Sequence, residues 1–138
     1  MAETGTAWVT CLVQPAAGHS IHLARIAGVE VISAIVRRVR GGALSPPDAT
    51  VALGQFRGEF AGLYRIVEPT PGLITMAMTL VETHALRGYD AVQLAVALQV
   101  NRRCLAMGFS LRLVSADAEL TAAAAAEGLA VEDPNAHP

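Results

Sequence analysis

Three of the twelve acidic residues stand in unusually apolar surroundings. Glu30 sits among Ala27, Val29, Val31 and Ile32, and the residues three and four places on are Ser33 and Ala34, with no arginine to pair it. Burying such a carboxylate alone is costly. It reads either as a metal ligand or acid–base group, or as a helix acid near the positive end of the helix dipole. Asp90, in LRGYDAVQLAVAL, opens the most apolar stretch of the chain. It is a functional carboxylate, a helix cap, or the partner of Arg87 one turn back. Asp117, in LVSADAELTAAAAAEGL, falls where a strand gives way to a helix. A capping aspartate is expected there, and so is a ligand site, because α/β proteins bind ligands at the carboxyl ends of their strands. Carboxylates that converge repel one another and need a cation. Oxygen-only donors favour Mg²⁺ or Mn²⁺ over zinc, and such a metal suits phosphoryl chemistry, where it activates water and offsets phosphate charge.

Other chemistry-bearing residues give weaker patterns. His19 and His22, with two residues between them and taken to share a strand face, are a possible metal pair lacking a third ligand. His84 lies in a helical stretch without a ligand pattern. Cys11 and Cys104 are far apart and have no metal spacing; with no secretory leader in view they read as reduced, buried thiols of a cytoplasmic protein. Gly41-Gly42 follows a helix and lacks the lysine of a phosphate-binding loop. The arginine clusters Arg37, Arg38 and Arg40, and Arg102 and Arg103, either touch a few phosphates or complement the C-terminal dipoles of their helices.

Short strands alternating with helices must position these groups. A helix is expected over residues 5–14, stopped by Pro15, and a strand over 19–24. Val29, Ile32, Val36 and Val39 recur at spacings of three and four, which predicts a helix over 25–40 with that face inward. Ser45, Pro46, Pro47 and Asp48 make a helix start: a capping hydroxyl, proline in the first turn and an acid at the third position. Further on, the pattern predicts a strand over 63–67, helices over 71–86 and 89–107, a strand over 111–115, a helix over 118–127, a strand over 129–132 and a frayed tail. The sum is an α/β protein with a mainly parallel sheet.

Composition narrows the class. The 138 residues suit one domain. Hydrophobic residues make up 53% and charged ones 16%, against about 25% charged in ordinary globular chains, which excludes a disordered protein. No stretch approaches the roughly 20 uninterrupted apolar residues of a membrane span. All ten basic residues are arginine and the net charge is −2, which excludes a protein that coats nucleic acid.

At the same acids the chain resembles the PIN-domain family, and within it the VapC-like toxin ribonucleases of toxin–antitoxin pairs. Residues 24–49 (ARIAGVEVISAIVRRVRGGALSPPDA), 84–98 (HALRGYDAVQLAVAL) and 113–134 (LVSADAELTAAAAAEGLAVEDP) carry the resemblance, the second most specifically. It implies a three-layer α/β/α sandwich over residues 1–134, with residues 135–138 as the frayed tail. It implies a metal-dependent endoribonuclease whose Mg²⁺- or Mn²⁺-binding acids are Glu30, Asp90 and Asp117. Ser115 falls where the family often has a hydroxyl near the site, and Arg87 is a plausible phosphate contact. RNA is the implied substrate, a small antitoxin the implied protein partner, and a homodimer the implied assembly; no membrane role is implied.

One departure stands out. The family opens with a central strand whose aspartate supplies a first metal ligand, whereas here no aspartate precedes Glu30. The domain is therefore expected to be short at its front by about ten residues, a strand and its turn. Either the true protein begins upstream, the favoured account, or the short form is genuine, an inactive relative or one that completes its sheet from a partner; the alternative function is a PIN-like module that binds an antitoxin or another protomer without catalysis. Weak or absent cleavage is expected of the 138 residues alone.

Overall fold

The computed structural model describes residues 3–138. Contacts gather the chain into two compact units, Met1–His19 with Pro69–Pro138, and Ser20–Glu68.

The larger unit holds helices α1 (Thr6–Val13), α4 (Pro71–His84), α5 (Gly88–Ala106) and α6 (Ala118–Ala126), with strands β3 (Arg112–Val114) and β4 (Ala130–Glu132). Helix α4 starts where Thr70 accepts a hydrogen bond from the Leu73 amide at 3.2 Å, followed by Pro71 in the first turn. Its residues Leu73, Ala77 and Leu80 recur every three or four places and are buried. Helices α4 and α5 pack together more extensively than any other pair. In α5, Ala91, Leu94 and Ala95 are fully buried, as the all-round apolar pattern predicts. Alanines at 123 and 124 let α6 lie close against its neighbours. Strands β3 and β4 pair in parallel, with Leu113 opposite Val131, and α6 makes the crossover between them.

The smaller unit is built from β1 (His22–Ala24), α2 (Ile26–Arg40), α3 (Pro46–Gly62) and β2 (Arg65–Val67). The expected start of α3 forms: the Ser45 hydroxyl accepts from the Asp48 amide at 3.2 Å and donates to the Asp48 carboxylate at 2.7 Å. Strands β1 and β2 are parallel, with Leu23 opposite Ile66. Gly28 lets α2 approach α3, since a β-carbon there would lie 3.1 Å from the Phe60 ring. Arg25 lies 5.8 Å from the centre of that ring and pairs with Glu68.

Four sequence expectations are corrected. The predicted inward stripe of α2 is only partly covered: Val29 is 67% exposed and Val36 also faces solvent, while Ala27 and Gly28 are buried. The strands are three residues each, shorter than predicted, because each pairs with a single neighbour over that length. Cys11 is exposed and Cys104 half-buried, so neither is a core thiol. The tail is not frayed at its start. Residues Pro134–Ala136 form a 3-10 turn capped by the Asp133 side chain, and His137 stacks on Trp8.

The chain is thus α/β with parallel pairing, in two separate two-stranded sheets among the described residues. No helix of those residues is long and apolar enough to cross a membrane.

Candidate functional site

In the larger unit, Asp117 and Ser115 are brought together at the carboxyl end of β3. The Ser115 amide donates to the Glu132 carbonyl at 3.0 Å and carries the β3–β4 pairing one residue further. Its hydroxyl accepts the Asp117 amide at 3.1 Å, which leaves the hydroxyl proton free to donate elsewhere. Asp117 then caps α6: Oδ1 accepts the Leu120 amide at 2.9 Å. The side chain is exposed, and Oδ2 is clear of the cap. Of the two roles predicted for Asp117, the cap is the one that forms.

Asp90 occupies the third position of α5, half-buried, where the positive end of the helix favours its charge. Arg87 is the extended residue just before that helix, with an exposed side chain and a carbonyl that accepts the Ala91 amide at 3.0 Å. Gln93 donates to the hydroxyl of Tyr89 beside it. Helix α5, with Asp90 in its first turn, packs on α6, which Asp117 caps.

Glu30 belongs to the smaller unit, at the fifth position of α2 and past its first turn. Its side chain is exposed, so the burial cost inferred from its apolar neighbours is not incurred. No charged or polar residue is fully buried among the described residues. Within either unit, the described residues hold no group of three or more histidine, cysteine, aspartate or glutamate side chains placed to bind a metal ion.

The proposed histidine pair does not share a strand. Strand β1 begins at His22, and His19 precedes it. Burial, aided by the positive charge of Arg65, holds His22 below the usual imidazole range, with the Ser20 backbone opposing.

The structure adds contacts between residues distant in sequence. His84 Nε2 meets Glu127 Oε1 at 2.8 Å, joining the end of α4 to the residue after α6. Beside it lies a shallow depression of about 350 Å³ lined by His84, Ala85, Glu119, Ala122 and Ala123. Glu132 accepts from His137 at 2.7 Å and lies 3.6 Å from Arg112. No local sequence signal marks the His84–Glu127 pair, whose partners are 43 positions apart.

Comparison of the chain with protein-family models and with curated proteins finds no match.

Proposed function

We propose that this chain is a PIN-type, VapC-like metal-dependent endoribonuclease, the toxin of a toxin–antitoxin pair. The supporting observation is the division of its strands into two separate parallel pairs, β1 with β2 and β3 with β4. Parallel strands joined through helices, as α6 joins β3 to β4, are the βαβ pattern that the family's α/β/α fold implies. The proposal includes the three-layer sandwich, with helices covering the faces of the parallel strands. Asp90 and Asp117 at the starts of α5 and α6 also suit the proposal, because strand ends and helix starts are where α/β proteins hold ligands.

Asp90 and Asp117 offer hard carboxylate oxygens and no sulfur, the donor type that suits Mg²⁺ or Mn²⁺, and the resemblance adds Glu30 to them. When bound, such an ion would activate water and offset the charge of a phosphodiester. The chain's own contributions are distinct. Asp117 presents Oδ2 while Oδ1 holds the helix start, Ser115 fixes the Asp117 backbone, and exposed Arg87 offers a cation to an RNA phosphate.

The test is cleavage of labelled single-stranded RNA with Mn²⁺, by the 138-residue chain and by a form extended with an apolar strand ending in aspartate. The extended form is expected to cut in an EDTA-sensitive manner, the 138 residues weakly or not at all. Asp90→Asn in the extended form should abolish cutting; retained activity would refute the assignment.

A second reading, an inactive PIN-like module that binds an antitoxin or another protomer, is favoured by the use of Asp117 as the cap of α6. It predicts partner binding that survives Glu30→Gln and Asp90→Asn, and no heat of Mn²⁺ binding in titration calorimetry.

A further inference from the structure

The C-terminal end of α5 holds three large apolar side chains in solvent. Leu105 is 58% exposed, Met107 73% and Phe109 66%. They are fixed there by a built turn. The Met107 and Phe109 amides both donate to the Cys104 carbonyl at 2.9 Å, and the Gly108 amide donates to the Leu105 carbonyl at 3.1 Å. Gly108 takes φ +86, which a residue with a β-carbon rarely adopts. On the far side of the turn, Asn101 Oδ1 accepts the Leu111 amide at 2.9 Å. A clustered apolar patch held out in this way marks an interaction surface.

Charge identifies the occupant. Arg102 and Arg103 are exposed one helical turn before Leu105 and Met107, at spacings of three and four. Residues 91–116, which include this turn, carry three arginines and no acid in a chain of net charge −2. A second copy docking through the same face about a twofold axis would set these arginines against their own images. We infer that the Leu105–Met107–Phe109 turn, flanked by Arg102 and Arg103, docks an acidic amphipathic segment of a partner protein. The apolar anchors cover the turn and the carboxylates meet the two guanidiniums. The surface is independent of the nuclease proposal.

The probe is a fluorescein-labelled peptide of about fifteen residues with Leu and Phe at helical spacings and glutamates between them. Fluorescence anisotropy with the full chain is expected to show saturable binding that weakens as salt rises. Met107→Ser with Phe109→Ser should weaken it about 10-fold or more, and Arg102→Glu with Arg103→Glu similarly. Met78→Ser, which changes an exposed side chain on α4, should leave binding intact. A peptide with glutamine for glutamate tests the charge on the unaltered protein, whatever the stability of the variants, and is expected to bind about 10-fold more weakly. No binding, equal binding of the glutamine peptide, or equal binding by both double variants would overturn the inference. So would sedimentation with phosphatidylglycerol vesicles, or a dimer, that is lost on Phe109→Ser.

Discussion

The indole of Trp8 lies flat on the imidazole of His137, with ring centres 4.2 Å apart and planes within 7°. His137 in turn meets Glu132 at 2.7 Å, so the first helix, the last strand and the closing turn are tied together. Stacked aromatic pairs contribute about 0.5–1.5 kcal/mol beyond their burial. His137→Ala is expected to lower stability by about 1 kcal/mol. Trp8 is the single tryptophan, so its emission reports the contact directly and should shift to the red. Emission spectra with thermal melts check this; an unaltered spectrum would show that the rings do not stack in solution.

Ala85 is the one described residue other than glycine with positive φ, at +53°. It closes α4 by donating its amide to the Val81 carbonyl at 2.9 Å. A residue with a β-carbon pays about 1–2 kcal/mol in this conformation, and glycine pays part of that back in unfolded-chain entropy. Ala85→Gly is therefore expected to stabilise the protein by roughly 0.5–1 kcal/mol, a rise of a few degrees in Tm. Ala85→Val should move Tm the other way. A fall in Tm for the glycine variant would contradict the left-handed cap.

His22 sets a pH dependence. Burial first and Arg65 second hold its pKa below the ordinary imidazole value, so the folded state favours the neutral ring. The unfolded chain takes up a proton as pH falls through about 6.5, while the folded chain resists until lower pH. Stability contributed by this residue is thus unchanged above that value and falls as the solution is acidified through the interval below it. His22→Asn should flatten that part of a plot of Tm against pH between about 7 and 5. An identical slope in both proteins would place the acid sensitivity elsewhere.

Much of the helical framework was legible because its signals are local. Ser45 with Pro46, Pro47 and Asp48, and Thr70 with Pro71, fix helix starts through contacts three residues apart. Strand lengths were not legible, because a strand lasts only as far as its neighbour pairs with it. The exposure of Glu30 was hidden for a related reason. Apolar neighbours in sequence include residues on every side of a helix, and Val29 itself faces solvent. The contacts of His84 with Glu127 and of Trp8 with His137 join distant parts of the chain, so no spacing rule reaches them. At the candidate site, Asp117 was expected to be either a cap or a ligand; its geometry assigns one oxygen to the cap and leaves the other clear.

The cap through Oδ1 lets the stability role of Asp117 be measured apart from its proposed metal role. Asparagine caps a helix about as well as aspartate, whereas alanine loses roughly 1 kcal/mol at such a site. Asp117→Asn keeps the side-chain oxygen that accepts the Leu120 amide but removes the negative charge offered through Oδ2. Its melting temperature should match the parent, and Asp117→Ala should melt several degrees lower. If Asp117 is a metal ligand, Mn²⁺ affinity and RNA cleavage by the strand-extended form should fall in both variants alike. Melting curves, Mn²⁺ titration calorimetry and cleavage assays on the two variants decide the matter. Loss of stability in Asp117→Ala with full Mn²⁺ binding and cleavage in Asp117→Asn would leave this residue a helix cap and nothing more.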